Sequence, residues 1–301
     1  MKITPNLWFN DKAEEASAFY ISLFENSSVQ QITTYTEAGK EYHAKEAGSV
    51  MLVNFELNGQ SFAALNGGER FTFNSSISLF VEAPSVKKVE SLWSKLIEDG
   101  EALMELDSYP WSEKYGWLRD KFGLQWQLMY DHRENAKLDI ATCLFFCGKH
   151  QGNAEKAINF YSSVFKNHEI FGIQKYTKEQ NEFATGHVMH AQFNLEGRTF
   201  MAMDSGMPME APFNEAFSLV VNCENQEEID YYWNLLTQNG DSEAQICGWL
   251  KDQFGVSWQV VPTVVLEFLQ TKDLSKKEKV MAAIMQMQKI EIAALEAAFN
   301  S

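Results

Sequence analysis

Six His and four Cys are the side chains of this 301-residue sequence that could bind a metal through nitrogen or sulfur. Their spacing argues against it. Cys143 and Cys147 stand in ATCLFFC, an apolar run that reads as a strand. On a strand, residues four apart share a face but lie ~13 Å apart at ~3.3 Å per residue. Zinc, with bonds of ~2.3 Å, cannot draw two thiolates across that gap. His187 and His190 are three apart on a strand, so they face opposite sides and cannot chelate together. Proton transfer is the chemistry that remains. His190 shares its strand face with Gln192 and lies near Met203, which makes it the best general-base candidate, with Glu56 the second. A hydrogen-bonded His on a partly exposed sheet face would look the same in sequence.

These residues are positioned by a repeat. GWLRDKFGLQWQLM (116–129) returns as GWLKDQFGVSWQVV (248–261), with eight identities in fourteen positions. Ala18–Val29 matches Asn159–Ile170, Gly48–Asn66 matches Gly186–Asp204, and Ser76–Ala83 matches Ala216–Cys223. The chain is one domain of about 130 residues, duplicated: copy one at 1–132, a polar linker DHRENAK, copy two at 138–262, and a tail at 263–301.

Within each copy the pattern β-α-β-β-β occurs twice, so the expected class is α+β. ITPNLWF is a strand, and KAEEASAFYISLF a helix with Asn10 or Asp11 as cap. SVMLVNFEL-NG-QSFAALN is a hairpin, because Asn-Gly between alternating runs favours a two-residue turn. Alternation puts Met51, Val53, Phe55, Phe62 and Ala64 on an apolar face under the helices. Leu52, Asn54, Glu56, Ser61, Ala63 and Leu65 take the other face, as do His190, Gln192, Asn194, Thr199, Met201 and Met203 in copy two. Copy one carries Leu52 where copy two has His190, so chemistry at that position would belong to one half. Asp204, at the end of the second hairpin where copy one has Asn66, reads as a turn cap. In the tail, SKKE (275–278) is a capping box, and Val280, Ile284, Met287, Ile290, Ala294 and Leu295 predict one long amphipathic helix. Its Met-rich stripe would pack on the chain's own domains or across a homodimer.

Composition narrows the partners. Net charge is −16, and the tail balances five Lys against five acidic residues, so the excess lies in 1–262. Nucleic acid and anionic membranes would repel such a surface. No stretch reaches the ~18 apolar residues of a membrane span, and MKITPNLWFN has no leader-like run. A cytoplasmic protein is expected. Twenty-two Phe and eight Trp serve large cores or aromatic-walled pockets.

The paired modules, FY…LF in the first helix, GG after the hairpin and GWL.D.FG..WQ at the end resemble the vicinal oxygen chelate superfamily of glyoxalases, bleomycin-resistance proteins and extradiol dioxygenases. FAALNGG and CGWLKDQFGVSWQVVP are similar to its PhnB-like branch, often labelled 3-demethylubiquinone-9 3-methyltransferase. The resemblance covers Ile3–Tyr130 and Ile140–Pro262 and extends to KIEIAALEAAF in the tail. It implies a tandem glyoxalase-like fold, with a curved sheet holding a ligand on its concave face. Metal-dependent members place ligands on the first, fourth, fifth and eighth strands. Here the eighth-strand position falls on Gln127 and Gln259, the fifth near Ser76 and Ala216, and the fourth near Ala63 and Met201. Neither first strand has a His. Neutral amides are poor sole ligands for a transition metal, so no metal and no cofactor are expected. The methyltransferase label implies a nucleotide-type site, yet the sequence has no G-x-G run between a strand and a helix.

Three functions stay open at this point. A metal-free pocket could bind a small, partly aromatic or amphipathic molecule, using Trp8, Trp111, Tyr115, Trp117 and Trp126 with Asn54, Gln125, Gln127, Gln192 and Gln259. A metal-independent lyase, isomerase or transferase would use His190 or Glu56. A structural role would rest on the duplication and the tail.

Overall fold

The alternation and turn signals resolve into four successive βαβββ modules and a helical tail. The protein, seen as a computed structural model, is described over residues 2–301. The first module holds β1 (Ile3–Phe9), α1 (Ala13–Leu23), β2 (Ser28–Thr34), the short α2 (Lys40–His43), β3 (Val50–Leu57) and β4 (Gln60–Asn66). The second holds β5 (Ile77–Ala83), α3 (Val86–Leu96), β6 (Glu101–Tyr109), β7 (Ser112–Arg119) and β8 (Gln125–Tyr130). The third runs through β9 (Asp139–Phe146), α4 (Ala154–Val164), β10 (His168–Lys175), β11 (Val188–Leu195) and β12 (Arg198–Asp204). The fourth runs through β13 (Phe217–Cys223), α5 (Gln226–Leu236), β14 (Asp241–Ile246), β15 (Trp249–Lys251) and β16 (Ser257–Pro262).

Local chemistry fixes the elements. Asn58-Gly59 has φ of 50° and 74°, and Glu196-Gly197 has 52° and 83°, the left-handed pairs a two-residue hairpin needs. Ser85 and Asn225 cap α3 and α5 by accepting from the backbone N–H of Lys88 and Glu228. The start of α1 is capped from the hairpin and not by Asn10 or Asp11: Asn66 Oδ1 accepts from Ala13 N at 2.8 Å. Asp204 does the same for α4, accepting from Gly152 N and Ala154 N, and it also holds Val188 N. Both are end-of-strand residues that fasten a helix to its sheet.

The twice-written GWL.D.FG..WQ stretch is a structural staple. Asp120 Oδ1 accepts from Phe122 N and Leu124 N, and its Oδ2 accepts from Trp126 Nε1 at 2.9 Å. Asp252 repeats the pattern with Phe254 N, Val256 N and Trp258 Nε1, again at 2.9 Å. The glycine inside each turn, Gly123 at φ +90° and Gly255 at φ +84°, supplies the left-handed residue. Both Trp side chains are fully buried, so Trp126, a candidate for the pocket wall, belongs to the core instead.

The sheets do not follow the repeats. One has the order β14-β15-β16-β13-β1-β4-β3-β2, and the other β10-β11-β12-β9-β5-β8-β7-β6. Each joins the first module of one copy to the second module of the other, through antiparallel pairs β1–β13 and β5–β9. Two compact units result. Unit 1 comprises residues 1–21, 27–71 and 214–301; unit 2 comprises 22–26 and 72–213.

In each unit one sheet face is apolar and carries helices, as the alternation predicts. Val53, Phe55, Phe62, Ala64, Leu219, Val221, Trp258 and Val260 are buried on that face of unit 1. In unit 2 it carries Leu79, Val81, Trp126, Leu128, Phe193 and Phe200.

The tail differs from the single long helix read from its periodicity. It forms α6 (Val264–Leu269), α7 (Leu274–Met285) and α8 (Ile292–Asn300). Asp273, not Ser275, caps α7, accepting from Ser275 N and Lys276 N. The interruption is pinned by outside partners: Cys247 N donates to Met287 O and Gly248 N to Gln288 O, while Ile292 N donates to Gln226 Oε1. The apolar stripe packs within unit 1, where Val265, Leu269, Val280, Ile290 and Leu295 meet Met51 and Val261. Near its other end, Lys277 Nζ donates to Thr34 Oγ1 on β2 at 2.9 Å. The tail therefore joins β2 at one rim of the unit 1 sheet to the β14–β15 turn at the other.

Candidate functional site

Strand parity gives each unit a second, open sheet face opposite the apolar one, and the two open faces differ in chemistry. In unit 2 this face carries Ser78, Phe80 and Glu82 from β5, Gln125, Gln127 and Met129 from β8, and Tyr115 and Trp117 from β7. Cys143 comes from β9, Met201 from β12 and Gln192 from β11. The sheet is strongly curled. Strands β5 and β11 are three places apart, about 14 Å in a flat sheet. Yet Gln192 Nε2 donates to Glu82 Oε2 at 3.0 Å, and the Phe80 and His190 rings lie 6.1 Å apart. Trp117 of β7 likewise meets Phe145 of β9 edge-on at 5.6 Å. Phe80, Tyr115, Ala141, Cys143 and Met201 form a buried floor. Half-buried Met104, Tyr109, Trp117, Met129 and Met203 pack against it.

A neutral hydrogen-bond network runs through that floor. Tyr115 Oη donates to Gln127 Oε1 at 2.7 Å, and Gln127 Nε2 donates to Ser78 Oγ at 2.9 Å. Burial pushes the Cys143 thiol up to about 12 and raises the Tyr115 phenol as well, so both stay protonated. Trp117 Nε1 donates to Gln125 Oε1, and Gln125 Nε2 to Ser75 Oγ. Two titratable groups stand at the edge. Burial holds the half-buried His190 imidazole below its ordinary pKa, which keeps it neutral. Burial raises the Glu82 carboxyl despite the Arg133 guanidinium 3.5 Å away.

Glu82 was missed by sequence reasoning. The signal was one acidic residue in an otherwise apolar strand, ISLFVEA, in phase with Ser78 and Phe80. Phase alone could have placed it on the open face.

In unit 1 the open face carries Asn6 and Trp8 from β1, Ala63 and Leu65 from β4, and Asn54 from β3. It also carries Ser218 from β13, Ser257 and Gln259 from β16, and Trp249 and Lys251 from β15. Gln259 Nε2 donates to Ser218 Oγ at 3.0 Å, and Trp8 Nε1 to Gly68 O at 2.7 Å. Trp8 and Trp249 meet edge-on at 6.2 Å.

The predicted residues are thus divided. Trp8, Asn54, Glu56 and Gln259 belong to unit 1; Tyr115, Trp117, Gln125, Gln127, His190 and Gln192 to unit 2. Trp8 and Asn54 lie on a different sheet from Trp117 and Gln127, because β1 pairs with β13 and not with β5. Trp111 is 59% exposed in the β6–β7 turn, where it stacks on Tyr109 at 5.0 Å. Glu56 accepts from Gln30 Nε2 at the end of β3.

The donors at the four strand positions that hold metal in related folds do not suit a metal ion. In unit 2 they are Cys143, Met201, Ser78 and Gln127, a protonated thiol, a thioether, a hydroxyl and an amide engaged at both ends. In unit 1 they are Asn6, Ala63, Ser218 and Gln259, with no imidazole, thiolate or carboxylate among them. The fifth-strand position is Ser78 or Ser218, the hydroxyls that reach the glutamines, two residues beyond Ser76 and Ala216. Among the described residues no three His, Cys, Asp or Glu side chains cluster as a metal site would require.

Four βαβββ modules, paired into two curled eight-stranded sheets with one open face each, define a tandem glyoxalase-like protein of the vicinal oxygen chelate superfamily. Within that class, the model of the family described as 3-demethylubiquinone-9 3-methyltransferase matches residues 1–129 and again 138–261, and the chain belongs to that family. It is similar to a putative 3-demethylubiquinone-9 3-methyltransferase, PhnB protein, from Bacillus cereus. The identity is 41% over 44% of this chain and 100% of that chain, with a TM-score of 0.40. In fold it is similar to glyoxalase I from Zea mays, at 11% identity, 88% of this chain, 94% of that chain and a TM-score of 0.56. No curated protein matches the chain.

Proposed function

We propose that unit 2 binds a small, partly aromatic molecule on its open face without a metal. The observation that supports this reading is the set of half-buried side chains, Met104, Tyr109, Trp117, Met129 and Met203, packed against a buried cluster on that face. Thioethers and aromatic edges accommodate flat apolar ligands, and a few placed polar groups orient them. Those groups are Gln125, Gln192 and the neutral His190. The test is a titration of intrinsic tryptophan fluorescence with 2-naphthol as probe. Saturable binding that Trp117→Leu weakens at least tenfold supports the reading. No saturation, or unchanged affinity in that variant, sinks it.

A second reading has its own support. Glu82 and His190 both have pKa values shifted by burial, on one face and bridged by Gln192 and Phe80. A carboxyl raised and an imidazole kept neutral can exchange a proton with a bound substrate. If turnover of an enolisable carbonyl compound is found, Glu82→Gln and His190→Gln should each lower kcat more than KM. Methyl transfer, which the family description names, finds less support, because the parallel pairs β1–β4, β5–β8, β9–β12 and β13–β16 form no doubly wound nucleotide site.

A further inference from the structure

The break between α7 and α8 is gripped from outside the tail, as a bound peptide would be. Met287 O accepts from Cys247 N and Gln288 O from Gly248 N, both at 2.7 Å, in the β14–β15 turn. From α5, Gln226 holds the next residues with both ends of its amide: Nε2 donates to Ile290 O at 3.2 Å, and Oε1 accepts from Ile292 N at 2.9 Å. The Lys289 ammonium pairs with Asp230, one turn further along α5, and with Glu291 of its own segment. Ile290 is 1% exposed and packs against Gly248, where a Cβ would come within 3.2 Å of the Ile290 Cγ1. Main-chain hydrogen bonds, one apolar anchor and one ion pair are together the chemistry of peptide recognition.

Unit 2 has no such groove. Val86 stands where α5 has Gln226, Glu90 is paired with Lys114 at 3.4 Å, and the space beside Gly116 is taken by the Trp93 ring. The occupant in unit 1 is lightly held. In α7 and α8 only Lys277, Val280 and Leu295 are buried. Segments with so few buried contacts open at free energies below that of global unfolding. Lys277 weakens the docked tail further. It is 6% exposed and donates to Thr34 Oγ1. No carboxylate among the described residues offsets its loss of water, so burial lowers its pKa. A buried charge without a counter-charge is destabilising.

We propose that the groove between α5 and the β14–β15 turn is a peptide-docking site, held closed by the chain's own residues 287–292, and that its partner is a non-helical segment of another protein carrying a basic residue followed by Ile. The main-chain bonds from Cys247, Gly248 and Gln226 supply affinity whatever the partner's sequence. The Ile anchor beside Gly248 and the carboxylate of Asp230 supply selection. The net charge of −16 draws a basic segment toward the protein. A partner makes these contacts without burying an ammonium as the tail buries Lys277, which lowers the cost of displacing the resident segment.

The test uses the full chain. A tethered segment competes for its own groove at an effective concentration of about a millimolar, so Ile290→Asp is used to free the groove by removing the anchor. The probe is a fluorescein-labelled peptide of residues 285–293, read by fluorescence anisotropy. The expected result is saturable binding to Ile290→Asp, at least tenfold tighter than to the unaltered chain. Adding Gln226→Ala to that variant should weaken binding at least tenfold. Adding Asp230→Lys should weaken it too, and a peptide bearing Lys289→Glu should recover it. Circular dichroism checks each fold, and Ile290→Ser, which removes the anchor without adding charge, decides the matter should Ile290→Asp misfold. No saturation in the Ile290 variant, or binding that Gln226→Ala leaves unchanged, would overturn the proposal. So would a dimer of the unaltered chain, seen in sedimentation and dissolved by the peptide, because it would assign the groove to a second copy. The groove shares no residue with the open face of unit 2, so the 2-naphthol titration fails or succeeds separately.

Discussion

Replacing Asp120 by Ala should destabilise unit 2 by about 4 kcal/mol. The carboxylate accepts three hydrogen bonds, from Phe122 N at 2.8 Å, Leu124 N at 3.1 Å and Trp126 Nε1 at 2.9 Å. The last two donors are buried, and each left without a partner costs about 2 kcal/mol. Phe122 N lies nearer solvent and adds little. Asp252→Ala in unit 1 should cost at least as much, since all of its corresponding bonds, to Phe254 N, Val256 N and Trp258 Nε1, are buried. Asp120→Asn separates the roles of the two oxygens. One amide oxygen still serves the backbone donors, but Nδ2 now faces the indole N–H, so about half the loss is expected. Urea unfolding followed by circular dichroism and by tryptophan fluorescence measures these differences. A loss under about 1 kcal/mol in both Ala variants would refute the account, as would an Asn variant as costly as the Ala one.

Other outcomes follow from the same geometry. Gln127→Leu should cost about 2 kcal/mol by urea unfolding, because Tyr115 Oη and Ser78 Oγ lose their shared partner. Burial lowers the pKa of His190 from its ordinary 6.5. The unfolded chain then takes up a proton that the folded chain refuses, so stability is full above about 6.5 and falls below it by up to about 1.4 kcal/mol per pH unit. His190→Gln should flatten that fall in denaturation curves at pH 8, 6.5 and 5.5, and an unchanged slope would reject the assignment. Gly67→Ala drives a methyl into the Trp8 ring, so Trp8 emission should shift while unit 2 keeps its 2-naphthol affinity. Removal of residues 263–301 should expose Met51 and Val261 and lower the melting temperature of unit 1, read by calorimetry.

Much of this architecture is legible in the sequence because it is local. Asn58-Gly59 announces its hairpin, and alternation in VMLVNFEL separates the helix-bearing face from the open one. The repeated GWL.D.FG..WQ stretch announces the duplication, though only the folded structure reveals that its Asp clamps a turn and a Trp. The choice between β1–β13 and β1–β5 is not local. Ile77–Ala83 and Phe217–Cys223 are both apolar strands of similar pattern, and nothing in ITPNLWF prefers one. That choice puts Trp8 and Asn54 on a different sheet from Trp117 and Gln127. The tail failed for a related reason: its periodicity is helical throughout, but Cys247 and Gly248 claim the carbonyls of Met287 and Gln288.

The exchange of modules between copies also governs how the chain can be made. Strand β1, residues 3–9, waits for a neighbour at residues 217–223. A ribosome must synthesise more than two thirds of the protein before the first strand finds its antiparallel partner. Until then the nascent first module presents an open strand edge, a template for pairing with another chain. Unit 2, whose residues 72–213 are nearly continuous, can close earlier. The expected order of assembly during synthesis is therefore middle first, ends last.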